Sequence, residues 1–293
     1  MTLLVVLQHL GFAASLTALS AAITWVMLHH VRIMDEPNAR SSHKRATPRG
    51  GGVAIVSTFM VGVGLIAWLG DEVQIHQYYF WVFLLSSLLI AAISLYDDIT
   101  QKSFQVKLMT QIVAIALAMS AGLVLDGSMV ATLADWPGVA MFITACWLLG
   151  MTNAYNFMDG IDGMAASTAL VVSLFFAVIA LQHGSNFAYL VSFVIAAGAA
   201  GFALFNWSPA TIFMGDVGSA FLGFVLAALA LMAASFDNSH TPFFVMPLLL
   251  FHFIFDTVFT MARRIIAGEN PAEAHRSHIY QLLVRMGGSH GHV

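Results

Sequence analysis

Apolar runs of about 20 residues recur nine times along the chain, at about 3 to 28, 51 to 69, 78 to 96, 106 to 125, 136 to 156, 164 to 182, 187 to 206, 217 to 236 and 241 to 262. A helix rises ~1.5 Å per residue, so each run matches a hydrocarbon layer ~30 Å thick. None alternates with period two, which excludes a transmembrane barrel. Only 9% of the 293 residues are charged, against about 25% in a soluble domain, which excludes a water-soluble globular enzyme. Cys146 is the single cysteine and lies inside a run, so neither a disulfide framework nor a Cys-based zinc site can be built within one chain. The reading is an all-α integral membrane protein, a single polytopic domain over residues 1–293.

The basic residues set the orientation. Arg32, Arg40, Lys44, Arg45 and Arg49 follow the first run, Lys102 and Lys107 the third, and Arg263, Arg264, Arg276 and Arg285 the ninth. Every one follows an odd-numbered run, so the positive-inside rule predicts that those connections are cytoplasmic and the N-terminus is outside. No basic residue precedes the first run, which is the reverse of a cleavable signal peptide and predicts a retained span. The connections on the other side are short and carry no Lys or Arg.

Carboxylates gather on the predicted inner side: Asp35 and Glu36, Asp97 and Asp98, Asp159 and Asp162, Asp216, and Glu269 with Glu273. Polar chemistry on one face suits an enzyme that brings a cytosolic substrate to a lipid, whereas a transporter would more naturally hold such groups at mid-depth. In YDDITQKSFQVK, neighbouring helical residues point about 100° apart, so Asp97 and Asp98 cannot share one job symmetrically. An acidic helix cap is the alternative for that pair. In TNAYNFMDGIDG, Asn153, Asn156, Asp159 and Asp162 recur every three residues, more amide and carboxyl groups than a cap requires.

Asp216 stands where the eighth run begins and fits an ordinary N-cap. A helix start also attracts phosphate, against which a carboxylate can hold Mg²⁺. The loop DEPNARSSHKRATPRGGG, with His43, Lys44, Arg45 and Arg49, suits anionic groups, or simply lipid headgroups. HRSHIYQ sets His275 and His278 one turn apart, more suited to donating to phosphate or sugar hydroxyls than to zinc, since no third ligand or thiolate is near. Asp256, the only acidic residue inside a run, is shallow enough for a structural pairing with Arg263 or Arg264.

Taken in order, DEPNARSSHKRATPRGGG, LYDDITQKSFQVK, NAYNFMDGIDG, FMGDVGS and HRSHIYQ resemble the polyprenyl-phosphate N-acetylhexosamine-1-phosphate transferases, relatives of the phospho-MurNAc-pentapeptide translocase. The resemblance covers nearly the whole chain. HRSHIYQ stands where the translocase has three adjacent histidines, so the chain looks more like the branch that starts O-antigen or other surface polysaccharides. The resemblance implies transfer of N-acetylhexosamine-1-phosphate from a UDP-sugar to undecaprenyl or another polyprenyl phosphate, with release of UMP, at a bacterial inner membrane.

It also implies Mg²⁺, with Mn²⁺ as a substitute, on Asn156 and Asp216. Asp97 and Asp98 match a pair that handles the lipid phosphate proton or the metal, and Lys107 matches a phosphate-binding lysine. Asp162 falls at a position tied to uracil, Asn153 and Asp159 line the same site, and His275, Arg276 and His278 fall in the sugar-facing loop. A homodimer is compatible with the resemblance, and no nucleic-acid partner is expected. The family pattern continues past RMGGSHGHV with one or two further spans, so the resemblance implies a shortened end. Two other readings stay open at this point: a transporter of an anionic metabolite, and a truncated inactive relative.

Overall fold

The structure is a computed structural model that describes residues 3–36, 46–69, 77–100, 104–127, 129–235, 241–270 and 275–293. His43, Lys44, Arg40, Arg45, Lys102 and Glu273 lie outside the described residues. Among the described residues the chain forms α1 (Leu3–Val26, extended by a π turn over Met27–Val31), a hairpin of β1 (Ile33–Asp35) and β2 (Thr47–Arg49), then α2 (Gly52–Leu69), α3 (Gln77–Thr100) and α4 (Phe104–Ser120). There follow α5 (Pro137–Phe157), α6 (Met164–Gln182), α7 (Asn186–Asn206), α8 (Asp216–Ser235), α9 (Val245–Leu249), α10 (Phe251–Ile266) and α11 (Ile279–Arg285).

Helix α8 is the axis of the fold. Every residue from Val217 to Ala234 is buried, as expected of a helix that is apolar on all sides, and α3, α5 and α2 pack around it. A second layer joins α7 to α6, α1 and α2. Small residues let the backbones approach closely: a Cβ on Gly52, at the start of α2, would fall 2.3 Å from the Cα of Gly218 in the first turn of α8. Trp147 on α5 donates its indole N–H to the Ala227 carbonyl of α8 at 3.0 Å. The start of α8 is held against α2 in this way, and Asp216 sits on it.

Among the described residues six helices are long and apolar enough to cross a membrane, namely α1 with its π turn, α3, α5, α6, α7 and α8, while α2 and α4 are apolar but shorter. The structure departs from the sequence reading in three places. The fourth run ends as a helix at Ser120 rather than 125, because Gly122 adopts a left-handed φ of +95° and terminates it. The ninth run is broken at Leu250 into α9 and α10. The fold is also not purely helical: β1 and β2 pair antiparallel, Ile33 opposite Arg49 and Asp35 opposite Thr47.

Candidate active site

The start of α8 is capped from another helix. Asp98, in the last turn of α3 and 3% exposed, accepts the backbone N–H of Val217 at 3.0 Å and of Asp216 at 3.3 Å. Gly215 makes this approach feasible. Its φ of +75° disfavours a side chain, and a Cβ there would lie 2.8 Å from Asp98 Oδ2. Asp216 is therefore not the cap that its position suggested. Its carboxylate is released for other work: Oδ1 accepts from Asn156 Nδ2 at 2.8 Å and Oδ2 from the ammonium of Lys107. Asn156 Nδ2 also reaches Ser219 Oγ at 2.8 Å.

The glycine-rich loop braces this corner. Arg49, from β2, donates to the Asp98 carbonyl oxygen and lies 3.8 Å from its carboxylate and 3.7 Å from that of Asp35. Gly51 and Gly52 donate to the Phe213 and Met214 carbonyls at 3.0 and 2.8 Å, and Phe213 donates back to Pro48 at 2.8 Å. The amides of Gly51 and Gly52 are thus spent on backbone pairing. Asp97, the preceding residue on α3, is half-buried.

The last turn of α5 and the loop after it face the same corner. Asn153 Nδ2 donates to Gln111 Oε1 at 3.0 Å and to the Leu149 carbonyl at 2.9 Å. Gln111 is fully buried one turn beyond Lys107 on α4. Burial, with the carboxylates of Asp216 and then Asp98 behind it, pushes Asp159 up to about 8, so at neutral pH it holds a proton. Asp162 serves a different junction, accepting from Ala210 N–H at 3.2 Å and lying 3.2 Å from His290 Nδ1. Asn206, which the sequence reading passed over, ties that junction together. It accepts from Gly163 N–H at 3.1 Å and donates to the Ile212 carbonyl at 2.9 Å.

HRSHIYQ docks onto this loop through Tyr280. Its hydroxyl donates to the Phe157 carbonyl at 3.0 Å, over Gly160, where a Cβ would lie 1.9 Å from that oxygen. Burial raises the Tyr280 phenol above its ordinary value. His275 is pushed down to about 4 by burial and the nearby Arg264 guanidinium, so it is neutral at pH 7, and its Nδ1 lies 2.9 Å from Ser277 Oγ. Arg276 is half-buried in the same loop.

The expected pairing of Asp256 with Arg263 or Arg264 is not made. Arg263 donates to the Ser277 carbonyl, and Arg264 pairs with Glu269 at 3.3 Å and donates to the Asn270 carbonyl at 2.8 Å. Asp256 instead pairs with His278 at 3.1 Å. The guanidinium groups reach carbonyls and a carboxylate C-terminal to α10, while Asp256 faces the loop.

The structure thus joins Asp98, Lys107, Asn156 and Asp216 in direct contact, with Asn153 and Asp159 beside them. The carboxylates of Asp35, Asp98 and Asp216 surround the cations of Lys107 and Arg49, so an incoming phosphate adds further negative charge at this corner. Among the described residues no three His, Cys, Asp or Glu side chains converge into a metal cage. The donor set nevertheless fits Mg²⁺, which commonly takes one or two protein oxygens and completes its shell with substrate phosphates and water. Asp216 and the amide oxygen of Asn156 supply such oxygens.

Residues 80–234 match the model of a family described as glycosyl transferase family 4. A Bacillus subtilis protein described as a probable undecaprenyl-phosphate N-acetylglucosaminyl 1-phosphate transferase is 33% identical over 264 residues, covering 88% of this chain and 71% of that protein. A decaprenyl-phosphate N-acetylglucosaminephosphotransferase of Mycobacterium leprae is 26% identical, over 96% of this chain and 77% of that protein. A phospho-N-acetylmuramoyl-pentapeptide-transferase of Desulforudis audaxviator is 30% identical, over 78% and 77%.

Proposed function

The chain belongs to glycosyl transferase family 4, and from that premise we propose that it transfers N-acetylhexosamine-1-phosphate from a UDP-sugar to a polyprenyl phosphate, undecaprenyl phosphate in bacteria. The products are polyprenyl-diphosphate-sugar and UMP, at the start of O-antigen or another surface polysaccharide. The observation that carries this reading is the corner at the start of α8, where Lys107, Asn156 and Asp216 meet. The reaction joins two anions, so catalysis rests on positioning and charge neutralisation.

Lys107 and Arg49 supply fixed positive charge to the phosphates, and Asp98 keeps the α8 amides and Gly215 in register with them. When bound, Mg²⁺ on Asp216 and Asn156 would neutralise charge on the donor diphosphate. A phosphate monoester with a second pKa of ~6 is mostly ionised at pH 7, so Asp97 and Asp98 need not act as a strong base. Asp162 is assigned to the uracil and His43, Lys44, His275, Arg276 and His278 to the phosphates and sugar. The same reading takes the nine apolar runs as spans in a bacterial inner membrane, with the N-terminus outside and these loops cytoplasmic. It is tested by UMP release from the purified full chain, which requires both UDP-sugar and polyprenyl phosphate. Uptake of a sugar nucleotide into proteoliposomes without chemical conversion would favour the transporter instead.

A further inference from the structure

Helix α11 ends at Gly287, whose φ of +103° is left-handed. The Gly287 N–H donates to the Val284 carbonyl and the Gly288 N–H to the Leu283 carbonyl, both at 3.1 Å, the paired bonds that close a helix on a glycine. The chain then folds back on itself. A Cβ on Gly288 would fall 2.8 Å from Val293 Cγ2, and the N–H groups of His292 and Val293 donate to the Ser289 carbonyl at 2.9 and 3.2 Å. This turn sets the His290 ring against the loop between α5 and α6. Among the described residues, the bonds of His290 to Asp162 are the only ones that tie residues 289–293 to the rest of the protein.

His290 Nδ1 lies 3.2 Å from Asp162 Oδ1 and 3.4 Å from the Asp162 backbone nitrogen. When it carries a proton, Nδ1 donates to the carboxylate; when bare, it accepts the amide, so the ring holds on in either form. Both side chains are mostly buried. The neighbouring groups are committed within the fold: Asp162 Oδ2 accepts the Ala210 N–H, and the Gly163 N–H goes to Asn206. Asp162 Oδ1 and the Asp162 N–H are therefore an acceptor and a donor that the loop itself leaves over, and His290 covers both. An acceptor beside a donor complements the edge of a uracil, where an N–H stands beside a carbonyl. The pair cannot serve the imidazole and the base at once.

We infer that residues 287–293 form a latch over the base-reading position: His290 occupies the edge of Asp162 that the uracil of the sugar nucleotide takes, and it leaves when the nucleotide binds. The inference rests on the transferase reading for the identity of the base. Its consequence is a penalty on nucleotide affinity, since a ligand that binds only the unlatched form has its apparent Kd raised by the fraction of chains that are latched. The single tether to Asp162 makes the latch easy to release, and the left-handed Gly287 is the hinge that aims it.

The test is UMP binding to the full chain in detergent, measured by calorimetry. His290→Ala is expected to bind UMP about 2- to 10-fold more tightly than the wild type, the net worth of one hydrogen bond in an equilibrium constant. Gly287→Ala is the second variant. Nothing lies within 4 Å of its added Cβ, so it strains only the left-handed backbone and is expected to loosen the same segment and tighten UMP in the same direction. Adding UMP to the wild type is expected to speed amide exchange at residues 289–293. A prop that merely steadies Asp162 gives the opposite signs: weaker UMP binding in His290→Ala and slower exchange with UMP. Either of those results would overturn the inference, as would unchanged affinity in both variants. No UMP binding to the wild type or the variants removes the uracil assignment of Asp162, and the inference falls with it. Tightened UMP binding in a chain that transfers no sugar keeps the latch and refutes the transferase.

Discussion

Gly52→Ala is the most informative single perturbation of the scaffold. A Cβ at this position would lie 2.3 Å from Gly218 Cα, 2.4 Å from Gly218 N and 2.9 Å from the Met214 carbonyl, against 3.4 Å at the near edge of ordinary contact. All of these are backbone atoms, so no side chain can swing away, and α2 must withdraw from α8 by about 1 Å. Overpacking of this kind costs about 1–3 kcal/mol, roughly 2–6 °C in unfolding midpoint for a chain of this size. Gly52 is the first residue of α2, where the helix-propensity gain of alanine is small. The cost to activity should exceed the cost to stability. The strained contact lies beside Gly215 and Asp216, and a misplacement of about 1 Å at a reacting centre is worth ~10²-fold in rate.

Gly64→Ala, on the same helix with nothing within 4 Å, is the control. It should be neutral, or more stable by up to ~1 kcal/mol, with unchanged transfer. Thermal unfolding in detergent and UMP release on both variants supply the comparison. Equal behaviour of the two, or an undamaged Gly52→Ala, would refute the close approach of α2 and α8 as the device that holds Asp216.

Lys107→Met leaves the Asp216 carboxylate with Asn156 and only the more distant cation of Arg49. Because about a third of that side chain stays open, the stability loss should be about 1–3 kcal/mol rather than the larger cost of a fully buried orphan charge, with transfer reduced at least ~10²-fold; wild-type rates would contradict this. Asp159 has a folded value of about 8 against 3.8 unfolded, so its contribution to stability is fully present below pH ~4 and is lost as pH rises through about 8. The metal-free wild type should therefore lose more midpoint between pH 6 and 9 than Asp159→Asn, and parallel curves would count against a protonated Asp159. Gly160→Ala should expel the Tyr280 hydroxyl from the Phe157 carbonyl and lower transfer while α8 stays folded, seen as faster amide exchange confined to α11; unchanged protection there would contradict the docking.

What could be read beforehand follows from how local each signal is. An uninterrupted apolar run marks α8, and the carboxylate at its start marks Asp216, because both are written within twenty consecutive residues. That Asp98 would cap α8, 118 residues away, has no local trace: YDDI looks like the end of one helix and says nothing of another. The same limit hid the pairing of Asp256 with His278, since two arginines stood closer in sequence and offered an easier partner. Asn206 was overlooked because an asparagine at a helix end ordinarily needs no other explanation. Gly122 likewise stood inside a run that read as continuous until its left-handed backbone ended α4.

The central claim is that the corner formed by Lys107, Asn156 and Asp216 transfers a sugar phosphate to a lipid. It is met most directly by measuring UMP release from the detergent-purified chain with undecaprenyl phosphate, Mg²⁺ and a panel of UDP-N-acetylhexosamines, beside Asp216→Ala and a chelated control. The account predicts release with at least one sugar, dependent on both the lipid and the divalent cation, and abolished in the variant. No release across the panel from a folded protein, or release that persists in Asp216→Ala, would contradict it.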